Sequence, residues 1–133
     1  MIKSVINRRV PYYEVDRMGY LFYGYYPLLY EAGRTELLRE IGMPNSKLEE
    51  EGFLLPAISL EVKYKQPIHY DELIRVETIV DEVPLVRLTF NFELFNNRRL
   101  VNKGASQFCF VDAQSRQPLK APKMLIEAFE KRL

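Results

Sequence analysis

Three stretches between residues 58 and 94 alternate apolar and polar side chains, and that two-residue period constrains this chain more than any other feature. Ile58, Leu60, Val62 and Tyr64 alternate with Ser59, Glu61, Lys63 and Lys65. Ile74, Val76, Thr78 and Val80 alternate with Arg75, Glu77, Ile79 and Asp81. Leu88, Phe90, Phe92 and Leu94 alternate with Arg87, Thr89, Asn91 and Glu93. Successive strand side chains point to opposite faces, so each stretch predicts a strand with one buried and one wetter face, as in an antiparallel sheet. Asn96-Asn97 marks a hairpin turn, because asparagine tolerates positive φ, and residues 99–112 complete the hairpin. Within that last strand Cys109 falls on the expected inward, core side. The four strands are expected to run as a meander, preceded by a strand at residues 3–10 that Pro11 cuts off.

One segment has a different period. Tyr26, Tyr30, Gly33, Leu37 and Ile41 recur at helical spacing and define a buried stripe. Pro27 suits a first helical turn, where its missing N–H is not needed. Gly42 followed by Pro44 ends the helix. Gly33 costs about 1 kcal/mol relative to alanine inside a helix, which a close backbone approach to the sheet would explain. Ser46 with Glu49 resembles a capping box for a short second helix ending near Gly52. Pro122 opens a terminal helix with Met124, Leu125, Ala128 and Phe129 inward. One striped helix against one half-buried sheet is an α+β layer pair, read as a single domain over residues 1–133.

The composition narrows the chemistry. A formal charge of +1 argues against a nucleic-acid protein held by phosphate contacts. No apolar run approaches the roughly 20 residues of a membrane span. The start, Met1-Ile2-Lys3-Ser4-Val5, has no apolar signal region, so a cytoplasmic location is expected. One cysteine and one histidine, His69, leave no cysteine-rich zinc site and no pair of imidazoles. His69 follows Pro67 in a turn and is expected at the surface. Catalysis would therefore fall to carboxylates or backbone dipoles. The candidate region is residues 11–26, where six tyrosines and two glycines surround Asp16, a loop expected to pack as tightly as a core. An aspartate before a helix is most often a cap or turn residue, and the residues alone leave that alternative open.

The run Tyr12-Tyr13-Glu14-Val15-Asp16-Arg17-Met18-Gly19-Tyr20-Leu21-Phe22-Tyr23-Gly24-Tyr25-Tyr26, continued by Tyr30-Glu31-Ala32-Gly33-Arg34-Thr35-Glu36-Leu37-Leu38, resembles the signature of hotdog-fold acyl-CoA thioesterases of the 4-hydroxybenzoyl-CoA thioesterase and YbgC-like family. Asp16, Gly19 and Tyr23 match its aspartate, its glycine three residues on, and the Tyr or His seven residues on. Val62-Lys63-Tyr64-Lys65-Gln66-Pro67-Ile68-His69-Tyr70-Asp71-Glu72-Leu73 is similar to the family's strand and Pro-x-x-Tyr-Asp turn. The resemblance implies a hotdog fold, an antiparallel sheet wrapped around one long central helix. It implies hydrolysis of an acyl-CoA, with no metal or redox cofactor and coenzyme A as part of the substrate. Asp16 would be nucleophile or base, and the Tyr23 backbone N–H the oxyanion donor, with Gly24 leaving room for the ligand. It also implies homodimers, often paired into tetramers.

Other positions around the expected site carry two readings each. Gly19, Tyr20, Phe22 and Tyr25, with Phe53, line an acyl pocket or fill core and subunit interface. The aromatic count suits a short or aromatic acyl group better than a long chain. Glu31 meets substrate or pairs with Arg34 across one helical turn. Lys63 and Lys65 meet coenzyme A phosphates or simply solvate a strand face. The turn Glu82-Val83-Pro84-Leu85 lacks the basic pair that one branch uses near the nucleotide. Two rival functions remain at this stage: a hydroxyacyl dehydratase, for which His69 is poorly placed, and a non-catalytic module that binds acyl-CoA or acyl-carrier protein.

Overall fold

In the computed structural model, which describes residues 1–133, the helical stripe and the strand alternation meet face to face. The strands are β1 (Ile2–Arg9), β2 (Phe53–Leu54), β3 (Ala57–Tyr64), β4 (Leu73–Val80), β5 (Arg87–Asn96), β6 (Arg99–Asp112) and β7 (Pro118–Leu119). The helices are α1 (Tyr26–Glu40), α2 (Asn45–Glu50) and α3 (Lys123–Glu130). All pairings are antiparallel. β1 pairs with β4, β4 with β5 and β5 with β6, while β3 also pairs with β6, from Ala57↔Phe108 to Tyr64↔Asn102. The short strands β2 and β7 pair with the end of β6. No helix is long and apolar enough to cross a membrane.

The inward residues of β4 and β5 are those the alternation picks out: Ile74, Val76, Thr78 and Val80, then Leu88, Phe90, Phe92 and Leu94, all buried. Tyr26, Tyr30, Gly33 and Leu37 of α1, with Ile41 just after it, are buried against them. Two glycines set the distance between helix and sheet. A Cβ on Gly33 would overlap Thr78 Oγ1 and stand 3.0 Å from Val76 Cγ1. Overpacking of that kind costs about 1–3 kcal/mol, more than the roughly 1 kcal/mol that glycine costs a helix, so glycine prevails. On β6, Gly104 lies under the Tyr30 ring. That ring stacks on Phe92, 4.4 Å between centroids, and its hydroxyl bonds Asn102 Oδ1. Burial pushes the Tyr30 hydroxyl above the usual phenol range. At the end of α1, Gly42 takes φ +81°.

Several expectations change in the folded chain. The four strands are not a simple meander, because β3 pairs with β6 rather than β4 and becomes the sheet's outer strand. α1 covers it only in part, so Leu60 is 52% exposed and Tyr64 51%; an alternating pattern does not reveal that its strand is an edge. Cys109 points to the outer face, opposite the inward Phe108 and Phe110, and is half-buried rather than core. Pro44, not Ser46, precedes α2, and no side chain caps it. In α3, Leu125, Ala128 and Phe129 are buried and Met124 half-buried. Residues 11–26 do not pack like a core: Tyr12 and Tyr13 are more than three-quarters exposed.

Candidate active site

Asp16 is held by its own loop. Its backbone N–H donates to Tyr20 O at 2.8 Å, and the Gly19 N–H donates to Asp16 O at 3.0 Å. Gly19 closes this turn at φ +78°, a region that favours glycine. With the chain turned back, the Met18 and Tyr20 N–H groups both donate to Asp16 Oδ1, at 2.8 and 3.1 Å. This explains the Asp-x-x-Gly spacing: the glycine aims two donors at one carboxylate oxygen and leaves Oδ2 free of protein partners.

A small hairpin then returns the chain to the start of α1. Val15 bridges Leu21, and the Phe22 N–H donates to Glu14 O at 2.8 Å. The hairpin is pinned from two sides. Leu21 N–H donates to Ile68 O, Tyr70 N–H donates to Gly19 O, and Tyr20 bridges His69. On the other side, buried Glu14 takes both guanidinium nitrogens of Arg8, at 3.1 and 2.5 Å. The Pro-x-x-Tyr-Asp turn thus has a structural task here, to hold the aspartate loop. His69 is exposed, as expected, and stands edge-on to Tyr20.

Residues 23–25 form a single 3₁₀ turn that runs into α1. The Phe22 carbonyl accepts the Tyr25 N–H at 2.9 Å, and the Tyr23 carbonyl accepts the Tyr64 hydroxyl at 2.8 Å. The Tyr23 and Gly24 N–H groups donate to nothing in the protein. A helix start supplies such free donors together with a partial positive charge. The space over Gly24 is not open, contrary to expectation. The Phe22 ring lies there, and a Cβ on Gly24 would stand 2.9 Å from Phe22 Cε2.

Asp16, Tyr20, Tyr23 and Lys65 line one cavity of about 350 Å³, with Tyr26, Tyr64 and Pro67. Burial pushes the Tyr26 hydroxyl up to about 12, helped by Tyr64 and the Asp16 charge, so it stays protonated at neutral pH. The remaining candidates fall elsewhere. Phe22 and Tyr25 pack on each other beside the turn. Lys63 pairs with Glu61 at 3.2 Å on the exposed strand. Glu31 forms a two-pronged pair with buried Arg34, whose guanidinium lies 4.6 Å from the centre of the Phe108 ring. Both line a separate cavity of about 450 Å³ further along α1, with Phe53 on its wall. Four residues around the site have roles that sequence spacing does not show. Spacing marks Tyr64 as an inward strand residue and Tyr26 as core, not as cavity lining. The Glu14–Arg8 pair depends on β1 lying beside the loop.

A long helix laid across an antiparallel sheet is the hotdog arrangement, here with a carboxylate loop at the helix N-terminus. Residues 10–129 match the thioesterase-like superfamily, and the chain belongs to that family. It is 30% identical over 122 residues to the acyl-CoA thioesterase YbgC of Haemophilus influenzae, covering 91% of this chain and 90% of the relative. It is 25% identical over 123 residues to the acyl-CoA thioester hydrolase YbgC of Escherichia coli O157:H7, covering 92% of each. A solved DHNA-CoA thioesterase from Staphylococcus aureus superposes with a TM-score of 0.92 at 27% identity, over 98% of this chain and 91% of that one.

Proposed function

We propose that this chain hydrolyses acyl-CoA thioesters to a carboxylic acid and coenzyme A, with Asp16 and the Tyr23 N–H acting on the same carbonyl. The observation that carries the reading is the pairing, in one cavity, of a carboxylate with a free oxygen and a helix start with unpartnered donors. The carbonyl oxygen would accept the Tyr23 N–H as it becomes an oxyanion, an interaction worth about 10²–10³ in rate. Asp16 Oδ2 either attacks the carbon or takes the proton of an attacking water. Collapse of the tetrahedral species expels the coenzyme A thiolate; where Oδ2 is the nucleophile, water then hydrolyses the anhydride left on Asp16, releasing the carboxylic acid and restoring the carboxylate. These groups suffice without a metal or redox cofactor. Lys65, on the cavity wall, is better placed than Lys63 to meet a coenzyme A phosphate. The aromatic lining of Tyr20, Tyr23, Tyr26 and Tyr64 favours a short or aromatic acyl group. A panel of aryl and straight-chain acyl-CoA thioesters, assayed with a thiol reagent, tests the activity. Saturable binding without thiol release would support the non-catalytic alternative instead.

Tyr23→Phe is expected to lower kcat less than threefold, because the backbone donor survives loss of the phenol. A loss matching that of an Asp16 variant would show that the hydroxyl takes part.

The same reading includes a homodimer. The outer edge of β3 presents unpaired backbone groups beside exposed Ile58, Leu60 and Tyr64, the kind of edge that a two-fold copy covers. Light scattering behind size exclusion should give twice the 15.7 kDa chain mass, or four times for a dimer of dimers. A fully active monomer would refute the assembly.

A further inference from the structure

We propose that Tyr64 is a positioning residue for catalysis, fixing the Tyr23 carbonyl so that residue 23 keeps its N–H toward the substrate. The inference rests on the oxyanion role given to the Tyr23 N–H. Tyr64 is half exposed on an edge strand, where a tyrosine gains little from burial. Its ring nonetheless stands edge-on to buried Tyr26, 4.8 Å between centroids, and its hydroxyl donates to Tyr23 O at 2.8 Å. That bond joins β3 to the turn before α1, across forty-one positions of sequence.

The carbonyl it holds belongs to the peptide whose N–H is that of Gly24. The preceding carbonyl, of Phe22, belongs to the peptide whose N–H is that of Tyr23, and it is held by the Tyr25 N–H. Both peptide planes are thereby fixed through their oxygens, and both N–H groups stay free. Hydrogen bonding to a peptide oxygen also polarises the N–H of the same unit, which for the Tyr64 bond is that of Gly24; the Tyr23 N–H gains from Tyr64 through the fixed position of residue 23. A single turn of 3₁₀ helix has poor hydrogen-bond geometry of its own, so a bond from β3 adds a restraint that the turn does not supply itself. Preorganised donors act because they need no rearrangement when charge develops. The hydroxyl is a steady donor: burial, with Tyr23 adding, raises it above the usual phenol range.

Tyr64→Phe keeps the ring on Tyr26 and removes only the hydroxyl. Loss of one such bond is expected to lower kcat about tenfold. KM and the inhibition constant for free coenzyme A, which has no carbonyl, should stay within about twofold. Thermal denaturation of both proteins supplies the control for folding, and Tyr64→Leu, which also loses the ring, should fall at least as far in kcat. Unchanged kcat in Tyr64→Phe would overturn the proposal. A raised KM at constant kcat would overturn it too, by making the Tyr64 hydroxyl, and not only its ring, a substrate contact, and so would a kcat loss fully explained by a smaller folded fraction. Asp16→Asn measured alongside separates the two readings. If that variant is inactive while Tyr64→Phe is normal, only the role of Tyr64 fails; if Asp16→Asn is fully active, the underlying mechanism fails.

Discussion

Asp16→Asn should lose about 10²–10⁴ in kcat, the range expected when a positioned carboxylate is lost as nucleophile or base. The fold should not change. Oδ1 accepts the Met18 and Tyr20 N–H groups, and an asparagine carbonyl oxygen can accept both, so the loop that carries the side chain stays closed. The substituted atom is Oδ2, which has no protein partner; there an amide nitrogen can neither attack a carbonyl nor take a proton. Thermal denaturation and coenzyme A inhibition should match those of the unaltered protein. Asp16→Ala makes the contrast: it removes the acceptor as well, leaves two N–H groups unpaired and should also loosen the loop. Near-normal kcat in a well-folded Asp16→Asn protein would remove Asp16 from the chemistry.

The largest expected effect on stability is at Gly104. An added Cβ would fall well inside contact distance of the Tyr30 ring. The ring has no easy retreat, since Phe92 stacks on one face and Asn102 holds its hydroxyl. Gly104→Ala should therefore cost about 2–3 kcal/mol and lower Tm by roughly 6–12 °C. Calorimetry on the single variant and on Gly104→Ala in a Tyr30→Ala background checks the cause. With the ring gone the penalty at 104 should largely vanish, a non-additivity that independent sites do not show. A Tm within about 2 °C of the unaltered protein would mean that the helix lifts from the sheet more easily than this packing implies.

Much of the fold was legible because it rests on local periodicity. The α1 stripe and the inward sets of β4 and β5 follow from residue spacing alone. The misreadings arise where a neighbour distant in sequence decides. Ile58, Leu60 and Tyr64 alternate like buried residues, but pairing with β6 leaves them on an edge that the helix covers only in part. Ser46 and Glu49 have the right spacing for a capping box, yet Pro44 ends the turn first. Gly104 sits inside a strand, where a glycine is a sign of close approach, but the sequence does not show that the approaching group is Tyr30. At the site, Asp16 and Gly19 were legible because one turn joins them. Tyr64 and the Arg8–Glu14 pair were not, because their contacts form only when β1 and β3 are in place. Phe22 and Tyr25 resemble lining residues by nearness in sequence, but the folded loop leaves them outside the Asp16 cavity, and Lys63, expected to meet coenzyme A phosphates, pairs with Glu61 on β3.

The account's central claim is that one thioester carbonyl meets both Asp16 and the start of α1. A crystal structure of Asp16→Asn with a slowly hydrolysed acyl-CoA tests it directly. The carbonyl oxygen should lie about 2.7–3.1 Å from the Tyr23 nitrogen, with the carbonyl carbon about 3–3.5 Å from the side chain at position 16 or from a water bound to it. A thioester bound instead beside Glu31 and Arg34, its carbonyl remote from both groups, would contradict the claim.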